Sequence, residues 1–314
     1  MSYPTISIVI PTRNGANTLA ELLAMLSVQT IKVQEIIVID SSSEDRTVTI
    51  AQEHGADVVM IDKDDFDHGG TRTMAAKLAQ GEITVFFTQD AIPASKDALE
   101  LLIKPFLNDL DISVCYGRQL PAFDANIFAA HLRHFNYPEK SELRSLRDKT
   151  RLGLKTIFVS NSFSAYRSQA LAEVGFFKNG LIFGEDTCTV GRMLLGKKKI
   201  AYVAEACVYH SHNYSMVEDF KRYFDIGVLH STESWLLNTY GTAEKRGMLF
   251  LRSEMSLLVK EGKYYLWPVS ILKNSLKLIA YKLGCLHSYM PKNVVMMLSM
   301  HKSWWKRRKL SHYH

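Results

Sequence analysis

Hydrophobic positions in the N-terminal third of the chain alternate between strand-like and helix-like spacing. Ile6-Ser7-Ile8-Val9-Ile10 is a β-branched run stopped by Pro11, and Glu35-Ile36-Ile37-Val38-Ile39-Asp40 is a second run apolar enough for burial on both faces. Between them, Leu19, Leu22, Leu23 and Leu26 recur at helical spacing over Asn17 to Ser27. Ser43 is placed to cap a helix through Thr47 to Glu53. Ala56 to Ile61 reads as a third strand, Thr73 to Ala79 as a helix and Ile83 to Phe87 as a fourth strand. Strands alternating with helices predict an α/β fold, a mostly parallel central sheet flanked by helices on both faces.

The remainder is less regular. Ser113 to Arg118 and Phe158 to Ser162 read as further strands, and the polar stretch Asp124 to Arg151 as loops and short helices. Lys199 to Val203 and Cys207 to His210 read as late strands, and from Val217 the spacing is helical. The expected division is a nucleotide-binding catalytic domain over residues 1–240 and a basic helical extension over 241–314.

Charge sharpens that division. The net charge of +6 hides 14 basic against 3 acidic residues from Gly241 to His314, a balance of +11 that leaves −5 for the body. Such a tail suits an anionic surface. With 47% hydrophobic and 22% charged residues the composition is that of a globular chain, which excludes disorder. Cys115, Cys188, Cys207 and Cys285 form no C-x-x-C pair, which argues against structural zinc and fits a reducing compartment. Ile6 to Ile10 is too short for a signal-peptide core, and no apolar run reaches the length of a membrane span. A cytoplasmic location is the resulting expectation.

Sheets of this kind bind ligands beyond the C-terminal ends of their strands, and polar residues gather there. Thr12-Arg13-Asn14 follows the first strand, Asp40 ends the second and Gln89-Asp90 the fourth. Asp40 is suited to accept hydrogen bonds from a base or a ribose; the alternative is a capping loop, the role expected of Ser43 and Asp45. In Phe66-Asp67-His68-Gly69-Gly70-Thr71-Arg72 the glycines allow close backbone approach to a ligand, and Arg72 near a helix start can pair with phosphate; the alternative is a Gly-rich turn with a surface arginine. Asp90 beside a diphosphate site is a natural Mg²⁺ or Mn²⁺ ligand, or else a helix cap after Pro93. Glu185-Asp186 can supply a base for an acceptor hydroxyl, or simply complement a helix dipole. His210, with His212 competing, is a candidate metal ligand on neutral imidazole, against a structural role for a lone strand-end histidine.

In this order the pieces resemble the family 2 glycosyltransferases of GT-A fold. The resemblance rests on Ile6–Asn14, Asp40–Thr47, Arg72, Asp90, Glu185-Asp186 with Arg192, and His210. Phe66–Arg72, Gly117-Arg118-Gln119-Leu120-Pro121 and Trp235-Leu236-Leu237 look more narrowly like bacterial rhamnosyltransferases of O-antigen and related polysaccharides. The resemblance implies an inverting transferase. Pro11, Thr12, Arg13, Asp40, Arg72, Gln89 and Asp90 would bind the donor. Asp186 would be the general base, Asp90 and His210 would hold Mg²⁺ or Mn²⁺, and Gln119, Asn161 and Glu185 would contact sugar or acceptor. It points to dTDP-L-rhamnose as donor, with a UDP- or GDP-sugar as alternative, and to a lipid-linked glycan as acceptor. The family usually has Asp-x-Asp at the metal site, whereas Thr88 stands at the first position here. An oxidoreductase would need G-x-G-x-x-G after the first strand, which Pro11-Thr12-Arg13-Asn14-Gly15 does not supply. A nucleotidyltransferase would want a Gly-rich basic loop there. A lectin or nucleic-acid-binding module fits the basic tail but not the strand-end carboxylates, so no nucleic acid is expected as partner.

The tail is expected to lie on the inner membrane surface without crossing it. Leu266, Leu272, Leu276, Ile279 and Leu283 fall near one side of a helix, and Lys273 and Lys277 on another. Trp304-Trp305 adjoins Lys306-Arg307-Arg308-Lys309, a pairing suited to lipid headgroups. Packing of the leucine face on the catalytic domain, or a homodimer through the same helices, is the alternative.

Overall fold

The computed structural model describes residues 3–242 and 244–307. Nine strands form one sheet: β1 (Ile6–Thr12), β2 (Glu35–Ser41), β3 (Asp57–Ile61), β4 (Ile83–Phe87), β5 (Ile92–Pro93), β6 (Ile112–Leu120), β7 (Glu142–Arg144), β8 (Phe163–Arg167) and β9 (Lys199–Tyr209). The helices of the body are α1 (Ala16–Ser27), α2 (Thr47–Glu53), α3 (His68–Leu78), α4 (Ala98–Asn108), α5 (Ile127–Asn136), α6 (Lys149–Leu152), α7 (Ser168–Glu173) and α8 (Glu185–Leu195). Then come α9 (Met216–Thr232), α10 (Trp235–Tyr240), α11 (Glu244–Lys260), α12 (Trp267–Cys285), α13 (Lys292–Leu298) and α14 (Lys302–Arg307).

Strand order is β3-β2-β1-β4-β8-β6-β9-β5, with β7 also on β9. β1, β2, β3 and β4 are parallel, as the alternating pattern predicts. β8 runs antiparallel to both β4 and β6, and β6 returns to a parallel pairing with β9, so the second half is mixed. The reversal at β8 matters for function. Its start, Phe163, lies opposite Phe87 at the end of β4, so the residues just before β8 arrive at the edge where the parallel strands finish.

Two apolar layers cover the sheet. Leu19, Leu22, Leu23 and Leu26 of α1 and Leu99, Leu102, Ile103 and Phe106 of α4 pack on one face with Ile8, Ile10 and Val85. The other layer joins Val9, Ile39, Phe86 and Tyr166 to Val190 and Leu194 of α8, Phe224 and Val228 of α9, and Ala280 of α12. Residues from beyond Gly241 therefore share a core with the sheet.

The tail turns a polar side inward. Ser270, Lys273, Lys277, Ala280 and Gly284 of α12 are its buried residues. A Cβ on Gly284 would lie 2.0 Å from the Phe224 carbonyl, and one on Gly227 2.2 Å from that of Tyr281, so α9 and α12 cross where only glycine fits. Lys273 and Lys277 reach buried Asp219 of α9 at 3.2 and 3.4 Å. Leu272 and Ile279 are exposed, while Leu276 and Leu283 are half-buried.

Trp304 and Trp305 are buried, against the sequence expectation of a headgroup-facing pair. Trp304 Nε1 donates to the Gly180 carbonyl at 2.9 Å, and the Trp305 ring stands against His287. Arg308 and Lys309 lie outside the described residues.

Candidate active site

The N-terminal strand ends are tied together by Gln89. Its Oε1 accepts from Thr12 Oγ1 at 2.7 Å and from the Arg13 amide at 2.9 Å, and its Nε2 donates to the Arg13 carbonyl. Pro11 is half-buried at the end of β1, and Arg13 is exposed. In β2, Asp40 is paired in register with Thr12 and is fully buried. Both Asp40 oxygens accept from Ser43, one from its amide at 2.9 Å and one from its hydroxyl, so here the carboxylate closes a turn. Ser43 Oγ in turn accepts from the Asn14 amide, which ties the β2 loop to the β1 loop.

Gly69 and Gly70 fall inside the first turn of α3, which begins at His68, five residues before the predicted start. Asp67 is its N-cap, accepting from the Gly70 amide at 2.7 Å. A Cβ on Gly69 would meet the Lys178 carbonyl at 1.9 Å, so the backbone that this glycine admits is the protein's own. Arg72 is buried and pairs with Glu185 at 3.0 Å.

The acid pair opens α8. Gly184 precedes it at φ 78°, and a Cβ there would press on Leu229 at 2.5 Å, so the turn requires glycine. Asn161, just before β8, organises both acids. Its Nδ2 donates to Glu185 at 3.3 Å and its amide to Asp186 at 3.4 Å, while its Oδ1 accepts from Ser164 and Tyr166 at 2.8 Å. Asp186 is pushed up to about 7, first by burial and then by the neighbouring charge of Glu185. A carboxylate in that range is matched to proton transfer near neutral pH. Arg192 donates to the Val174 and Phe176 carbonyls and so braces the loop before the pair. The tail braces it too: the His301 ring stacks on Phe183, and the Met300 amide donates to Asp225.

On the same edge, Asp90, His210 and His212 converge, their ligand atoms all within 4.8 Å of one another. His210 Nε2 lies 3.4 Å from one Asp90 oxygen and His212 Nε2 3.9 Å from the other. Burial alone would raise Asp90, but the hydrogen bond and charge of His210, with His212 and Thr88, hold it well below the usual carboxylate range. Burial, reinforced by His210, lowers His212 to about 4 and keeps it neutral at physiological pH.

The tautomer of His210 follows from its other nitrogen. Nδ1 lies 3.0 Å from Gln119 Oε1, which also accepts from Arg133. Arginine is donor-only, so the Gln119 atom facing it must be the oxygen, and His210 Nδ1 must donate. Its Nε2 faces Asp90, donating to the carboxylate when the ring carries both protons and offering a lone pair when a cation sits between them, so the residues fit a divalent metal. Gln119 is thus a support for His210, with its Nε2 on Ser160 at 3.0 Å. Arg133 was not singled out in the sequence: Ile127, Phe128, Leu132 and Phe135 line one side of α5, and Arg133 falls on the other, where an arginine reads as a solvated side chain.

An α/β sheet with an acid pair opening a strand-end helix and a carboxylate–imidazole cluster beside it forms a site suited to group transfer. The chain belongs to glycosyl transferase family 2, whose model matches residues 7–175, and it is a glycosyltransferase of GT-A fold. It is 41% identical over 302 residues to the O-antigen chain rhamnosyltransferase RfbN of Salmonella typhimurium, covering 96% of each chain. It is 39% identical over 304 residues to the O-antigen chain rhamnosyltransferase WbaN of Salmonella anatum, again covering 96% of each. Among solved structures it is similar to the mannosyltransferase PcManGT of Pyrobaculum calidifontis in complex with GDP-Man and Mn²⁺, with TM-score 0.60, 15% identity and coverage of 91% of this chain and 88% of that one.

Proposed function

We propose that this enzyme transfers L-rhamnose from dTDP-L-rhamnose, with inversion, to a lipid-linked oligosaccharide of a bacterial surface polysaccharide. The observation that carries the reading is the near-full-length likeness to two O-antigen chain rhamnosyltransferases. The site chemistry supports it. Asp186 takes the proton of the acceptor hydroxyl, whose oxygen forms the new bond to the sugar's anomeric carbon as the bond to the nucleoside diphosphate breaks on the opposite face. Displacement in one step inverts that carbon. Glu185, neutralised by Arg72, keeps its charge from adding fully to that of Asp186.

Asp90, His210 and His212 would hold a divalent cation, which would supply charge compensation for a leaving diphosphate. Two imidazole nitrogens favour Mn²⁺ over Mg²⁺, which prefers an all-oxygen shell. The second histidine stands in for the acid that Thr88 replaces. Pro11, Thr12 and Arg13, clasped by Gln89, form the donor's nucleotide wall, with Asp40 beneath it. The basic extension holds the enzyme at the inner face of the cell membrane, where a lipid-linked acceptor resides; no helix among the described residues is long and apolar enough to cross it.

The test is calorimetry and nucleoside diphosphate release with dTDP-rhamnose, UDP-glucose and GDP-mannose. The dTDP-sugar should bind most tightly and release its diphosphate in the presence of acceptor. Tighter binding of either alternative would remove the rhamnosyl assignment and leave the glycosyltransferase one.

A further inference from the structure

Helix α12 is inside out. Its buried face holds two lysines, a serine, an alanine and a glycine, while Trp267, Ile271, Leu272, Leu278, Ile279 and the following Leu286 are exposed. At 100° per residue these six span an arc of roughly 140°. Exposed Lys282 falls within the same arc. The helix has 19 residues, so this apolar stripe is about 28 Å long. Tyr264 and Tyr265, 68% and 66% exposed, stand just before its N-terminus. Of the 23 exposed large apolar side chains among the described residues, 14 lie beyond Gly241. The patch is concentrated, and single exposed apolar residues of the ordinary kind do not account for it.

We infer that the outward face of α12 lies flat in the interface of an anionic bilayer, so that this helix, and not the Trp304-Trp305 terminus, is the enzyme's membrane contact. The inference rests on the proposed peripheral association and specifies its surface. Two observations select lipid over a second copy of the chain. Tyrosine and tryptophan beside an aliphatic stripe match the headgroup boundary. The region is also strongly cationic: its balance over residues 241–314 is +11, of which Lys273 and Lys277 are buried on Asp219 and the acid Glu254 is buried as well, so an excess of positive charge remains. A second copy would bring the same positive charge against it, whereas anionic headgroups complement it.

The experiment uses the full chain and vesicles of phosphatidylcholine with and without phosphatidylglycerol. Wild type should sediment with anionic vesicles and be released by salt. Of the four tryptophans, Trp267 is exposed, Trp235 is half-buried against the core and Trp304 and Trp305 are buried, so vesicle binding should blue-shift the emission of Trp267. Trp267→Phe, a mild surface change, should abolish that shift without loss of the fold. Leu272→Ser with Ile279→Ser should weaken binding by about tenfold or more while leaving dTDP-rhamnose binding unchanged. Absence of wild-type sedimentation would overturn both this face and the peripheral reading. Equal sedimentation of the double variant, or a blue shift that survives Trp267→Phe, would overturn the face alone. A concentration-dependent dimer that the double variant dissolves, without vesicle binding, would assign the face to a second copy and overturn the proposal.

Discussion

Replacing Asp186 with asparagine should stabilise the protein while removing its activity. The carboxyl is raised from its ordinary 3.8 to about 7 by burial and by Glu185. Ionising it in the folded state therefore costs free energy that the unfolded chain does not meet. The full rise corresponds to at most about 4 kcal/mol, and screening of the partly exposed side chain brings this to roughly 2 kcal/mol. The sign is fixed by linkage. Below the unfolded value both states are protonated and nothing is lost; between the two values the folded state alone holds the proton, so stability falls as pH rises; above about 7 the penalty is complete. The neutral amide of the Asp186→Asn variant has no such penalty, although it gives up the hydrogen bond that the carboxylate accepts from the Asn161 amide. Thermal or urea unfolding of both proteins at about pH 8 and about pH 5 measures the difference. The variant should be more stable by about 2 kcal/mol at the higher pH, roughly 3 °C for a chain of 314 residues. At the lower pH the gap should shrink by more than half, because the wild-type carboxyl is then protonated. Turnover should fall by about 100-fold or more with donor binding retained. A variant no more stable than wild type at the higher pH, or a gap that ignores pH, would refute the buried-acid argument. Near-normal turnover would refute the base assignment.

Two further outcomes test the cation cluster. His212→Ala should weaken Mn²⁺ binding, followed by the loss of free-Mn²⁺ paramagnetic signal in the presence of nucleotide, by at least about tenfold; unchanged affinity would return His212 to a structural role. Gln119→Leu keeps the volume but removes the acceptor for His210 Nδ1 and Arg133, so Mn²⁺ affinity should fall by about 10- to 100-fold with nucleotide binding in metal-free buffer unaffected; equal loss with and without metal would show that Gln119 contacts the donor directly.

The parts of the fold legible in the sequence were those whose burial is apolar and local. β1, β2 and β4 are runs of isoleucine, valine and phenylalanine. Pro11 is expected to stop β1, but the strand runs through it to Thr12, and β2 runs past Asp40 to Ser41. The polar residues that follow these runs placed Thr12, Gln89 and Asp90 at one edge. That Asp90 follows a strand and that Asp186 lies in the first turn of a helix was legible from the residues around them. The reversal at β8 was not: a strand is expected over Phe158 to Ser162, whereas the strand is Phe163–Arg167, and Phe163-Ser164-Ala165-Tyr166 carries no sign of direction. That reversal is what delivers Asn161 to both acids.

Elements that bury polar groups were less legible. α5 turns His131 inward among Ile127, Phe128, Leu132 and Phe135, where its ring bonds Ser253 and lies 3.6 Å from buried Glu254, although the surrounding stretch reads as polar loops and short helices. Arg133, on the other side of α5, was not singled out, and with it the support of His210 was missed. α12 did show its period, but a period gives the sides of a helix and not which one faces water. The leucine side is expected at a membrane surface, with inward packing as the alternative; the glycine crossing with α9 turns Leu272 and Ile279 outward and leaves Leu276 and Leu283 half-buried, because Gly227 and Gly284 let two backbones approach more closely than leucine allows. Once they meet there, Lys273 and Lys277 must turn inward with Gly284, and Asp219 on α9 is the counter-charge that makes this burial tolerable. The apolar side is then left outside by geometry. A chain that keeps an aspartate in its core to receive two lysines, and leaves leucine and isoleucine in their place at the surface, has a use for that surface, and the cationic composition around it restricts what the use can be.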